Sequence, residues 1–102
     1  MTFGMVVTLR VREGRDAEYR AAMTELASIV AATEPDTLVY APLEVRGQAR
    51  VYVIIELYRT EAAHESHLQN IRGHACFTRL ADFIAERTSV LSLDGFGDCQ
   101  AR

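Results

Sequence analysis

Hydrophobic and polar positions divide the first third of the chain into a strand and a helix. Phe3–Val11 is rich in β-branched and apolar residues and is followed by Gly14, which indicates a first strand. From Asp16 onward, apolar residues recur at spacings of three and four, which is typical of a helix with one buried stripe: Tyr19, Met23, Leu26 and Val30. Asp16 is placed to cap this helix, and Pro35 is placed to end it.

The next segments predict an antiparallel hairpin. Thr37–Val45 and Arg50–Tyr58 read as strands, and the short turn between them contains Gly47. Pro42 has no N–H to donate, which places the first of these strands at a sheet edge or a bulge. Alternate residues of the second strand point to opposite faces, yet both faces are largely apolar, so both need cover. A single layer of helices covers only one of them, and a second subunit is the simplest cover for the other.

The remaining pattern predicts a broken helix and a final strand. Thr60 is placed to cap a helix that runs to about Gln69. After a break at Gly73, a second helical stripe extends to about Glu86, formed by Phe77, Leu80, Ala81 and Ile84. Arg87–Phe96 then reads as a strand. The order β-α-β-β-α-β predicts one α+β domain over residues 1–102 with an antiparallel, ferredoxin-like sheet.

Composition and charge exclude several function classes. The net charge is −3 and the basic residues are scattered, which disfavours a nucleic-acid partner. No apolar run is long enough to span a membrane, and the first residues do not read as an export signal, so we expect a cytoplasmic protein. Cys76 and Cys99 lack CxxC spacing and read as reduced thiols.

The candidate chemistry concentrates in three histidines within eleven residues, His64, His67 and His74. At about 100° per residue, Leu68 and Ile71 define an inward stripe with His64 on its midline and His67 at its border. A metal site could use His64 and His67 with His74 or Glu56, but there is no HExxH signature, and we predict no metal. The other interpretations are a buried histidine with one hydrogen-bond partner and the wall of a ligand pocket.

Glu56 is a carboxylate on an otherwise apolar strand. Such a group requires a donor, which tyrosine, histidine or arginine could supply. In a pocket it could act as a base, and beside an arginine it would be a structural ion pair.

Three segments resemble the antibiotic biosynthesis monooxygenase family: EPDTLVYAPLEV, YVIIELYRTEAAHESHL and GHACFTRLADFI. The resemblance covers about Val6 to Val90. The family motif of an acidic residue, proline and glycine corresponds to residues 34–36, with Asp36 in place of glycine. The strand ending in Glu, an apolar residue and an aromatic one corresponds to residues 56–58, and the His-Leu pair to His67-Leu68. The position of His64 is usually aliphatic in the family.

The resemblance implies a dimeric α+β barrel with a small cavity between sheet and helices in each subunit. Family enzymes oxidise phenolic or quinol substrates with dioxygen and without flavin, metal or haem. The expected partners are therefore a small aromatic molecule, dioxygen and a second copy of the chain. The resemblance suggests His67 and His64 as proton acceptors or orienters. The candidates for the pocket are Tyr40, Glu56, Tyr58, Asn70, Arg72 and His74.

Alternatives to this activity remain open at the level of sequence. The haem-degrading branch of the family fits poorly, because the chain has no tryptophan, its only asparagine is Asn70, and no histidine follows His74. A non-catalytic dimeric ligand-binding module would have the same outline. So would an isomerase or cyclase that uses the same acid-base groups without dioxygen.

Overall fold

The computed structural model describes residues 1–97, which form four strands and three helices. The strands are β1 (Phe3–Val11), β2 (Thr37–Glu44), β3 (Val51–Tyr58) and β4 (Ile84–Asp94). The helices are α1 (Asp16–Thr33), α2 (Glu61–Arg72) and α3 (Ala75–Phe83). None of these helices is long and apolar enough to cross a membrane.

The strands form one antiparallel sheet in the order β2-β3-β1-β4. This confirms the predicted ferredoxin-like α+β fold, with the second helix divided into α2 and α3. The turn between β2 and β3 contains Gly47 with a positive φ of 81°, which glycine adopts without steric cost. Pro42 lies in the edge strand β2, as predicted.

Three predicted helix boundaries are wrong. The helix predicted to end at about Gln69 extends to Arg72 as α2. Asp16 does not cap α1, whose N-cap is Arg15 and has no side-chain cap hydrogen bond; the Asp16 carboxylate instead accepts a 2.6 Å hydrogen bond from the Tyr52 hydroxyl. The helix predicted to reach Glu86 ends at Phe83, because the chain from Ile84 onward pairs with β1. Ile84 packs against the core from the start of a strand, so its apolar character fitted the helical stripe equally well.

The helices cover only one face of the sheet, which we call the inner face. The core between them contains buried residues of β1, α1 and α3, among them Leu9, Val11, Met23, Leu26 and Leu80. Val7 of β1 lies opposite Ile54 of β3 and Val90 of β4, so the inner face continues across three strands.

The outer face of the sheet is apolar and is not covered by any element within residues 1–97. Its large exposed side chains are Leu43 (47% exposed), Ile55 (41%), Leu91 (53%) and Leu93 (48%). Val6 joins them at the centre, since it pairs with both Ile55 and Leu91. Contiguous apolar surface of this kind usually marks a contact with another molecule.

Candidate functional site

A cavity of about 620 Å³ lies between the inner face and the helices. Its walls are mostly apolar and include Met5 and Leu9 of β1, Met23 and Leu26 of α1, and Ile71 of α2. Its volume falls within the usual range for small-molecule sites, and a few polar groups converge on one wall. The cavity is therefore the candidate functional site.

His67 is the most deeply buried polar side chain of this wall, with 2% of its surface exposed. The Thr60 hydroxyl accepts a 3.1 Å hydrogen bond from the Ala63 N–H, which fixes the start of α2 and brings His67 over β3. The ring Nδ1 lies 2.8 Å from Oε1 of Glu34. The ring Nε2 lies 3.9 Å from Oε1 of Glu56. The imidazole thus lies between two carboxylates, and it also lines the cavity.

Glu34 is a site residue that the sequence reasoning missed. Its carboxylate accepts hydrogen bonds from the Thr37 hydroxyl (2.7 Å), the Asn70 amide (2.7 Å) and His67. Burial alone would raise the pKa of Glu34, but these hydrogen bonds outweigh burial and hold its pKa below the ordinary value. The sequence signal was its place before Pro35, as the acidic residue of the motif at 34–36, which predicted a turn and not a buried contact.

Glu56 and Tyr58 form the second polar pair of the site. The Tyr58 hydroxyl donates a hydrogen bond to Glu56 Oε1. Burial raises the pKa of Glu56, and the hydrogen bond from Tyr58 and the nearby histidines offset this only in part. Glu56 lines the cavity, whereas Tyr58 is fully buried behind it.

His64 also lines the cavity, but it is only half-buried. Its ring lies 5.3 Å from the Phe3 ring and 5.0 Å from the Tyr58 ring, and no hydrogen bond to it occurs within residues 1–97. The predicted helix phase is therefore shifted, because His67 and Ile71 are the buried positions and His64 flanks them. His67 is buried because Glu34 and Glu56 place polar groups around its ring. The spacing of apolar residues along α2 gives no sign of these groups.

The other predicted pocket residues divide into two groups. Tyr40 and Arg72 line the cavity; burial raises the pKa of Tyr40, so its hydroxyl keeps its proton at neutral pH. Asn70 does not line the cavity but holds Glu34, with a further hydrogen bond of 3.0 Å to Thr33. His74 is the N-cap residue of α3 and is not among the lining residues.

Arg87 of β4 is a second residue that the sequence reasoning missed. It lines the cavity together with Arg72, and neither arginine forms an ion pair with another residue of the described range 1–97. The cavity thus has cationic groups at its edge and a histidine between carboxylates deeper inside. Alternation along the strand could have placed Arg87 inward once the register of β4 against β1 was known.

Over residues 1–97, no group of three or more His, Cys, Asp or Glu side chains is arranged to hold a metal ion. Cys76 is a buried free thiol in α3. The prediction for Cys99 lies outside the described residues.

Replacing Glu56 with glutamine is expected to stabilise the protein at neutral pH. Because burial raises the pKa of Glu56, folding favours the protonated carboxyl; this contribution is present below the ordinary value of 4.5 and is lost as the pH rises through the folded-state pKa. Glutamine resembles the protonated acid and can still accept from Tyr58. We expect Tm to rise by a few degrees at neutral pH.

Thermal unfolding of Glu56→Gln and wild type, followed by circular dichroism at neutral and acidic pH, measures this difference. The gain should shrink as the pH falls below the ordinary carboxyl pKa. Glu65→Gln, an exposed position on α2, is the matched control and should leave Tm unchanged. A neutral-pH Tm of Glu56→Gln equal to or below that of wild type would contradict the argument.

A family model described as antibiotic biosynthesis monooxygenase matches residues 2–79. A search of curated proteins finds no match. Among solved structures, a candidate antibiotic biosynthesis monooxygenase from Caulobacter crescentus CB15 is 28% identical, with a TM-score of 0.81 over 94% of this chain and 91% of that one.

Two more distant structures share the fold. A candidate antibiotic biosynthesis monooxygenase from Chloroflexus aurantiacus J-10-fl has a TM-score of 0.81 at 17% identity, over 98% of each chain. SnoaB, a cofactor-independent oxygenase from Streptomyces nogalater, has a TM-score of 0.78 at 18% identity, over 95% of each chain.

Proposed function

Since the chain belongs to the antibiotic biosynthesis monooxygenase family, we propose that it is a cofactor-independent monooxygenase that oxidises a small phenolic or quinol-type aromatic molecule with dioxygen. The observation that carries the proposal is His67, a buried imidazole that lies between two carboxylates and faces an apolar cavity. A phenolate is electron-rich enough to reduce dioxygen, so the protein needs to bind the phenol, remove its proton and exclude water.

The proposed reaction converts a phenol or quinol that has a free ring position ortho or para to a hydroxyl into a quinone. One oxygen atom of dioxygen replaces the hydrogen at that position as a carbonyl, and the other leaves as water with that hydrogen and the phenolic proton. The four electrons that reduce dioxygen come from the aromatic substrate. No further reductant is required for this balance.

The separation between His67 and Glu56 fits a substrate hydroxyl. At 3.9 Å, Nε2 of His67 and Oε1 of Glu56 are too far apart for a direct hydrogen bond. A hydroxyl oxygen between them could lie at about 2.8 Å from each atom, which is an ordinary hydrogen-bond length. His67 would then accept the phenolic proton, while the Glu56 carboxyl, whose raised pKa favours its protonated form, would help to orient the oxygen.

The other candidate residues have supporting roles in the proposal. His64 and Tyr40 line the cavity beside His67 and would hold the aromatic ring. Arg72 and Arg87 lie at the cavity edge, where their positive charge would favour the phenolate that forms deeper inside. Tyr58 would hold Glu56 in place through a hydrogen bond, and Asn70 would hold Glu34 in the same way. A role for His74 in substrate binding stays a prediction.

We also propose that two copies of the chain pair through their outer faces. The support is the exposed apolar surface around Ile55, together with a sheet whose helices all lie on the inner face. Pairing would bury Leu43, Ile55, Leu91 and Leu93, whose burial is worth roughly 25 cal/mol per Å² of apolar area.

Oxygen uptake by the purified, metal-stripped protein tests the proposed reaction. We expect uptake above the spontaneous rate with at least one member of a panel of hydroquinones and polycyclic phenols. Mass spectrometry after reaction under ¹⁸O₂ should find one labelled oxygen in the organic product. Boiled protein and bovine albumin at equal concentration are the controls.

The same panel separates the alternatives. Saturable binding of a phenol without uptake or product would indicate a ligand-binding module. A product that forms equally well without dioxygen would indicate an isomerase or cyclase. Either result would contradict the proposed oxygenase.

A further inference from the structure

The two nitrogens of the His67 ring have different surroundings. Nδ1 faces a carboxylate oxygen of Glu34 at hydrogen-bond distance, 2.8 Å. Nε2 has no hydrogen-bond partner within residues 1–97, its nearest charged atom being Glu56 Oε1 at 3.9 Å. Since the ring lines the cavity, the nitrogen without a partner is the one available to a ligand.

The Glu34 carboxylate is held in one orientation by three donors. Oε1 accepts from the Thr37 hydroxyl as well as from His67, and Oε2 accepts from the Asn70 amide. The side chain is only 9% exposed, so water competes little for these positions. Glu34 also lies at the C-cap of α1, between a helix and the edge strand β2, where the backbone limits its movement.

An ionised carboxylate can only accept hydrogen bonds, so the nitrogen facing it must carry a proton. A neutral imidazole carries one proton, and the Glu34 contact assigns it to Nδ1. The lone pair then lies on Nε2. When the ring accepts a second proton at Nε2, the same carboxylate stabilises the imidazolium.

We propose that Glu34, held by Thr37 and Asn70, is a positioning residue that fixes the tautomer and orientation of His67 and keeps Nε2 free to accept a proton from a ligand hydroxyl. The inference rests on the proposed function for its catalytic consequence. Its structural part, the tautomer, needs no substrate. Glu34 itself is not among the residues that line the cavity.

Nuclear magnetic resonance of the ring nitrogens tests the tautomer directly. In ¹⁵N-labelled wild type at mildly alkaline pH, we expect the His67 spectrum of a ring protonated at Nδ1 and unprotonated at Nε2. Histidine-to-glutamine variants at positions 64, 67 and 74 assign the three rings. A wild-type His67 ring protonated at Nε2 would overturn the proposal, whatever the variants do.

Glu34→Ala tests the cause of that tautomer. Loss of the acceptor should move the His67 ring to a mixture of tautomers and lower kcat by about 100-fold, with KM changed much less, because orientation is lost while the cavity wall remains. Glu25→Ala is the matched control, an exposed glutamate on the same helix. It should change neither the ring spectrum nor kcat.

The two measurements separate failure of this inference from failure of the proposed function. Unchanged tautomer and kcat in Glu34→Ala, while His67→Ala loses turnover, would overturn the role of Glu34 and leave the oxygenase intact. If no phenol is turned over, the tautomer shift in Glu34→Ala still supports the positioning role. If Glu34→Ala does not fold, the wild-type spectrum decides the tautomer, and Glu34→Gln, which keeps the size but not the charge, should lower kcat at least 10-fold.

Discussion

His67→Ala is expected to lower kcat for the oxidation of a phenolic substrate by about 10²- to 10⁴-fold, the usual contribution of a positioned general base. The His67 ring is the one imidazole that both lines the cavity and contacts a buried carboxylate. Without it, a bound phenol would keep its proton and react with dioxygen only slowly. Oxygen uptake under saturating substrate measures the loss.

His67→Ala also removes a hydrogen-bond partner from the Glu34 carboxylate, so its effect on folding needs separate measurement. Removal of one partner from a buried charged network typically costs about 3–5 kcal/mol. His67→Gln is the matched variant, since its amide can still donate to Glu34 but cannot act as a base at neutral pH. We expect Glu34 to remain paired and Tm to fall less, while kcat falls as far as in His67→Ala.

His64→Leu provides the comparison within the same helix. Leucine preserves the apolar contacts with Phe3 and Tyr58, so we expect kcat to fall less than in His67→Ala. Because His64 lines the cavity, we expect KM to change more than kcat. Gln69→Ala, at an exposed position of α2, should behave as wild type. Wild-type turnover and binding in both His67→Ala and His64→Leu would show that the assigned site is wrong.

Ile55→Asp is expected to convert the proposed homodimer into single chains. Ile55 lies on β3 between Ala41 of β2 and Val6 of β1, near the centre of the outer face. In a face-to-face pair, each aspartate would be buried against apolar surface without a partner, at a cost of several kcal/mol per interface. Sedimentation equilibrium should give twice the 11.4 kDa chain mass for wild type and 11.4 kDa for the variant.

The control is an aspartate introduced on the helical side of the molecule, away from the outer face. Gln69→Asp carries the same new charge on an exposed helix position and should remain dimeric. Circular dichroism should show that Ile55→Asp keeps its secondary structure at the concentration used. A wild-type protein that sediments as a single chain, or an Ile55→Asp protein that stays dimeric, would refute pairing through the outer face.

Local sequence patterns predicted most of the fold. The first strand was predicted with the bounds that the structure has, Phe3–Val11, and the hairpin around Gly47 with bounds within one residue. These predictions were correct because strand alternation, helical spacing and turn residues act within a few residues of one another. The prediction for the end of α3 failed because a distant segment decides it: pairing with β1 ends the helix at Phe83.

The sequence named candidate site residues but not their arrangement. The sequence alone determined a ferredoxin-like order of elements, a family resemblance and a cluster of histidines on the helix that follows β3. Only the tertiary structure showed that Glu34 contacts His67, since these residues are 33 positions apart and meet where the end of α1 packs beside α2. It also decided that His67, and not His64, is the buried histidine, because burial of an imidazole depends on polar partners supplied by other elements and not on its own helix.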